Sequence, residues 1–228
     1  MRRPIAIAML AVLAFAWVEA LHAGEEEPLP RPVGELTPVP EGAGWVDLFD
    51  ADNAPLWEVD AENRFAFQDG VMHIFGNKPT RYIHYAGDTY EDFEVHLEFK
   101  LTERVNSGLM FRAAPEDPVY QGMEIQILDS YGEHPNYHTC GSLYDVAAPM
   151  FNMVNKPGEW NSLDVTVKGK QVVVVMNGWK VLDLDLSKMT MPIGKFPTPL
   201  NDLPMVGSLL LQDHGDEVWF RNMRVRKL

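Results

Sequence analysis

The stretch DFEVHLEFKL, residues 92–101, alternates without interruption. Phe93, Val95, Leu97, Phe99 and Leu101 fall on one side, and Glu94, His96, Glu98 and Lys100 on the other. Wound as a helix, this sequence would scatter its apolar residues around the cylinder. Extended, it gathers them on one face, so it predicts a half-buried strand. The same period of two recurs along the chain. RFAFQ and VMHIF flank Asp69-Gly70, a two-residue hairpin turn signal. SGLMFR and GMEIQIL follow, and WNSLDVTVKGKQVVVVMNGWKVLDLDL reads as three strands. The turn at Asn177-Gly178 in that segment is the strongest hairpin signal in the chain. GSLLLQD and EVWFRNMRVR close the pattern around HGDE. Roughly a dozen strands with frequent turns and no long helical period predict an all-β sandwich or barrel. Strands with one apolar and one polar face suit two antiparallel sheets packed together, with a curved polar outer face.

The amino-terminal part does not belong to that pattern. Arg2 and Arg3 precede an apolar run from Ile5 to Val18, followed by small residues suited to cleavage. Residues 1–23 therefore read as a signal peptide, which places the protein in the periplasm or outside the cell. The run is too short for a comfortable membrane span of about 20 residues. Residues 24–43, rich in Pro, Glu and Gly, have little to bury and read as a disordered linker. The folded domain is expected over residues 44–228.

Charge and cysteine content narrow the partners. The formal net charge is −14, with 33 acidic and 19 basic residues. Removing the first 23 residues makes the balance more negative still. A nucleic acid or an anionic membrane would want a basic face, so neither is expected as a partner. Cys140 is the only cysteine, so no internal disulfide forms and the core alone must hold the fold. Cys140 reads as a small buried residue and not as a nucleophile.

Chemistry-bearing residues collect on the polar faces. Arg112 on one strand and Glu124 and Gln126 on the next share a surface if those strands pair antiparallel. They read either as part of a site or as a solvated ion pair. His214, in QDHG, ends an apolar strand and offers a titratable ring at a sheet edge. His134 and His138 are four residues apart, but Gly132, Pro135 and Asn136 rule out a helix there, so the helical zinc motif fails. No Gly-rich phosphate loop, paired-Cys motif or G-x-S-x-G elbow is present. EIQILD is similar to the acidic strand motif of jelly-roll glycosidases. However, Gln126 replaces the middle acid, and Glu124 and Asp129 fall on opposite faces of a regular strand. Retaining glycosidases need two carboxyls about 5–5.5 Å apart, which that spacing does not supply. The long irregular stretches Tyr131–Asn155 and Pro192–Pro204 are candidates for functional loops.

The segments WVDLFDADNAPLWEV, NSGLMFR, GMEIQILD, CGSLYDVAAP, KPGEWNSLDVTVKGKQVVVVMNGWKVLDLD and LLLQDHGDEVWFRNMRVR occur in that order. Together they resemble the 3-keto-disaccharide hydrolase domain family over Gly44 to Leu228. The resemblance implies a concanavalin-like jelly roll acting on glycosides whose C3 hydroxyl is already a ketone. The ketone acidifies the C2 proton, so one base suffices for elimination, and water addition completes a net hydrolysis. On this reading Glu124 is the base, Arg112 polarises the ketone, and His214 is the acid, with Asp129 or Asp213 as its partner. Asn106, Gln126 and Gln212 would hydrogen-bond the sugar, and Trp160 or Tyr144 would stack on it. The sequence does not fix a cofactor, and a divalent metal ion could stabilise the enolate in place of Arg112. The alternatives are a carbohydrate-binding module of the same fold and a structural sandwich that binds other proteins.

Overall fold

The computed structural model describes residues 31–59, 62, 64–76 and 81–228. The expected signal peptide and the first residues of the expected linker lie outside that set. The described chain forms thirteen strands: β1 (Val46–Asp47), β2 (Trp57–Glu58), β3 (Phe65–Gln68), β4 (Val71–Phe75), β5 (Arg81–Tyr85), β6 (Phe93–Leu101), β7 (Asn106–Ala113), β8 (Met123–Leu128), β9 (Trp160–Lys168), β10 (Gln171–Met176), β11 (Trp179–Asp185), β12 (Ser208–Asp213) and β13 (Glu217–Lys227). Among the described residues the helical content is three single 3₁₀ turns. The larger sheet runs β11-β10-β9-β6-β13-β4-β3, with β1 beside β13. The smaller runs β2-β5-β12-β7-β8. All pairings are antiparallel. This is the expected concanavalin-like jelly-roll sandwich.

The alternation explains the core. Phe93, Val95, Leu97, Phe99 and Leu101 of β6 are all buried, together with Leu109, Phe111, Ile125, Ile127, Leu209 and Leu211 from the smaller sheet. Burying each such side chain contributes roughly 1.5–3 kcal/mol, and no disulfide is needed. Cys140 is buried among them, and burial pushes its thiol pKa up to about 12.

Both hairpin signals form. Asp69 and Gly70 have φ of 52° and 75°, and Asn177 and Gly178 have 47° and 79°, the left-handed pair a two-residue turn between twisted strands demands. Asn177 does more than turn the chain. Its buried side chain accepts from Ser162 N at 2.8 Å and donates to Met153 O at 2.8 Å and Asn161 Oδ1 at 2.9 Å.

Two expectations are corrected here. From Arg31 onward the segment read as a disordered linker is docked. Val33 O accepts from Trp179 Nε1 at 2.9 Å, and Glu35 N donates to Asn177 O at 3.1 Å. Thr37 donates through N to Ser162 Oγ at 2.8 Å and through Oγ1 to Asp164 Oδ2 at 2.5 Å, and Pro40 O accepts from Arg224 at 2.8 Å. This strap crosses the outer face of the larger sheet by backbone and hydroxyl hydrogen bonds, which hydrophobic composition does not reveal. It also changes β6. His96 and Glu98, expected on a wet face, are buried, with His96 Nδ1 2.6 Å from Asp164 Oδ1 and Glu98 accepting from Arg221 Nε at 2.6 Å.

Replacing Asn177 by glycine keeps the turn geometry but removes the side-chain partner of Ser162 N and of Met153 O, while Asn161 Oδ1 keeps its bond from Asn155 N. The variant is expected to lose about 2–4 kcal/mol of unfolding free energy, read as a lower urea midpoint. A midpoint equal to that of the parent would reduce Asn177 to a turn former.

Candidate active site

The outer face of the smaller sheet carries the site. Strand parity sends Tyr82 of β5, Gln212 of β12, Asn106, Gly108 and Met110 of β7, and Glu124 and Gln126 of β8 away from the core. The register sets Gly108 across from Gln126 and Met110 across from Glu124. At one end of this face a cavity of about 300 Å³ is lined by Tyr82, Asn106, Val119, Glu124, Gln126, Tyr144, Asp145, Lys195, Gln212 and His214.

Glu124 lies at its floor and is only 3% exposed. It lies flat because residue 108 has no side chain. A Cβ there would overlap Glu124 Oε1 and sit 3.0 Å from both Cγ and Cδ. Burial raises the Glu124 pKa, and the Lys195 ammonium and the His214 ring offset part of that rise. Lys195 Nζ is 3.2 Å from Glu124 Oε2.

Two loops complete the walls, both within the long irregular stretches singled out in the sequence. Residues 141–144 pair with the exposed edge of β8: Gly141 N donates to Gln126 O at 2.8 Å, Gln126 N to Ser142 O at 3.0 Å, and Tyr144 N to Glu124 O at 2.9 Å. That pairing caps a sheet edge and brings Tyr144 and Asp145 beside the carboxylate. The 192–204 stretch brings Lys195, whose Nζ lies 4.9 Å from the centre of the Tyr144 ring. Burial and the nearby carboxylates raise the Tyr144 pKa, and burial also raises that of Tyr82.

The amides point to a polar ligand. Gln126 Nε2 donates to Asn106 Oδ1 at 3.3 Å, and Gln212 Nε2 to Tyr82 Oη at 3.5 Å. Among the described residues Gln126 Oε1 and Gln212 Oε1 are buried without a partner, a cost that a ligand hydroxyl would remove. For a divalent metal the fit is poor. Among the described residues no three His, Cys, Asp or Glu side chains converge as a ligand set, and the cation beside Glu124 is an ammonium.

Glu124, His214, Asn106, Gln126, Tyr144 and Gln212 thus come together as the sequence suggested. Four other expected site residues do not. Arg112 has φ of 46° at a β-bulge, where the β7–β12 register shifts. Its guanidinium turns away from Glu124, donating to Glu91 O at 2.6 and 2.9 Å and pairing with Asp92 at 3.2 Å. Burial lowers its pKa. Asp129 accepts from Arg104 N at 2.8 Å and braces the β6–β7 turn. Asp213 follows outward-facing Gln212, so parity points it inward, where it pairs with buried Arg64 and accepts from Gly215 N at 3.1 Å. Trp160 lies on the other sheet, under the Arg221 guanidinium at 3.9 Å. Sequence reasoning missed Tyr82, Val119, Asp145 and Lys195. The alternation in RYIHY could have supplied Tyr82, and Asp145 adjoins the predicted Tyr144. Lys195 and Val119 lie in loops whose sequence carries no period.

Comparison with known proteins agrees with the fold. The profile of the 3-keto-alpha-glucoside-1,2-lyase-like domain family matches residues 44–226. A 3-keto-disaccharide hydrolase of Bacteroides thetaiotaomicron is 26% identical, the alignment covering 95% of this chain and 87% of that protein. A crystal structure of a proposed glycosyl hydrolase from Parabacteroides distasonis superposes with a TM-score of 0.72 at 31% identity, covering 81% of this chain and 99% of the other. A second from the same organism, at a TM-score of 0.66 and 24% identity, covers 81% and 94% and shares the fold.

The raised Glu124 pKa has a consequence for stability. The folded state favours the protonated acid, so the group's contribution is lost as pH rises from the unfolded pKa through the folded one. Glu124→Gln mimics the protonated form. It is expected to melt at a higher temperature than the parent at about pH 8, with the advantage vanishing below about pH 4. A variant less stable at the higher pH would show that the Lys195 pair outweighs desolvation.

Proposed function

Because the chain belongs to the 3-keto-alpha-glucoside-1,2-lyase-like domain family, we propose that it is a carbohydrate-active enzyme that cleaves 3-keto-glycosides by elimination, with Glu124 as the base. The hydrolase-named relatives support the carbohydrate-active part of this reading. The observation that carries the finer part is the Glu124–Lys195 pair on the floor of a pocket sized for a sugar ring. A binding module has no need to hold a carboxylate out of water.

In the proposed sequence Glu124 takes the C2 proton. The C2–H electrons form a C2=C3 bond and the C3 ketone becomes an enolate oxygen. Collapse of the enolate restores the ketone, forms C1=C2 and expels the C1 oxygen. His214, exposed at the rim of the cavity, protonates that oxygen in this scheme. Water then adds across C1=C2, giving the free 3-keto sugar. The ammonium of Lys195 takes the role expected of Arg112. As Glu124 is neutralised, negative charge appears on the C3 oxygen, so Lys195 exchanges one anionic partner for another and the pocket holds the same charge throughout. Gln126, Gln212 and Asn106 hold the ring hydroxyls, and Tyr82 and Tyr144 form the walls. Export through the signal-like residues 1–23 would place this chemistry outside the cytoplasm.

The test uses a 3-keto-glucoside and its unoxidised parent, in D₂O, with and without EDTA. Release of the aglycone from the keto sugar alone, with deuterium at C2 of the product, is expected. Glu124→Gln should lower kcat by about 10²–10⁴-fold with the fold intact. Equal release from the unoxidised glucoside would replace elimination by direct hydrolysis. Sugar binding without release would make the protein a binding module, and loss of activity in EDTA would bring in a metal.

A further inference from the structure

Lys195 is carried on a tight turn, and the turn has an unusual seat. Ile193 and Phe196 form a bridge, with Phe196 N donating to Ile193 O at 3.0 Å, so Gly194 and Lys195 are the two central residues. Phe196, 2% exposed, anchors the turn in the core. Gly194 has φ of 54°. A Cβ at residue 194 would overlap Asp145 O and sit 2.6 Å from Asp145 Oδ2 and 2.8 Å from Cγ. Asp145 cannot simply yield. Its N donates to Tyr137 O at 2.9 Å, its Oδ1 lies 3.1 Å from His138 Nε2, and its own φ is 63°.

We propose that Gly194 is a positioning residue: its lack of a side chain lets the Lys195 turn close onto Asp145, and this closure fixes the ammonium at Glu124. The two loops that frame the pocket are thereby locked to each other, and Asp145 acts as the stop that sets how deep Lys195 reaches. The inference rests on the reading of Glu124 as the base, because it assigns Lys195 the task of keeping that base ionised and of receiving the enolate charge.

The decisive variants are Gly194→Ala and Gly194→Asn, with Lys195→Met and the Gly194→Ala/Lys195→Met double variant as references. Asn tolerates a left-handed backbone but carries a Cβ, so it separates the steric contact from the φ requirement. Two readouts are taken. The titration of Glu124 is followed by carbon NMR of the free protein, without substrate, and kcat/KM for a 3-keto-glucoside is followed against pH. Losing the ammonium removes an influence that lowers the Glu124 pKa. Both Gly194 variants should therefore shift the Glu124 titration and the acid limb of the pH profile upward, as Lys195→Met does. Each should lower plateau kcat by about 10²–10³-fold. The double variant should be no worse than Lys195→Met alone, because the two residues act through one contact. A Gly194→Asn variant indistinguishable from the parent would overturn the proposal, as would additive losses in the double variant. If the Glu124 titration moves as expected while no keto-glycoside is cleaved, the positioning role stands and the proposed function falls. If cleavage occurs and the titration stays in place, the reverse holds.

Discussion

A carboxylate held out of water on the outer face of a β-sheet is the constraint around which the rest of the molecule is arranged. Nothing about a strand buries an outward-pointing Glu. Here a glycine on the neighbouring strand lets the side chain lie flat, and two loops roof it over. The sandwich behind the sheet supplies the rigidity that makes this arrangement durable. An uncompensated buried charge would cost several kcal/mol, so an ammonium within hydrogen-bonding reach is as much a part of the fold as of the chemistry.

How much of this could be read in advance follows from which residues obey a period. The sandwich was legible because β6, β8 and β9 alternate and the Asp-Gly and Asn-Gly turns name themselves. Glu124, Gln126, Gln212 and Asn106 were legible for the same reason, since parity alone puts them on the outer face. Arg112 misled because a bulge breaks parity at that residue, and a bulge with a non-glycine residue at positive φ leaves no mark in composition. Asp213 misled because adjacency to Gln212 and His214 in sequence means opposition in space on a strand. Lys195 was invisible because a turn in an aperiodic loop brings it back to the sheet, and only the tertiary contact at Asp145 explains its position.

The two loops also settle a problem that any open sheet has. β8 is the edge of the smaller sheet, and its free backbone groups invite pairing with another chain. Residues 141–144 occupy that edge and in the same stroke deliver Tyr144 and Asp145 to the pocket. Protection of the fold and construction of the site are thus one set of hydrogen bonds, so a change that frees the edge would also dismantle the wall.

The amino-terminal strap carries a directional consequence. It crosses β11, β9 and β13 on the outer face of the larger sheet, while the pocket opens on the outer face of the smaller one. The sandwich therefore has a tethered back and an open front. The described strap leaves the mouth of the pocket uncovered, so a ligand longer than the cavity can extend outward without meeting it.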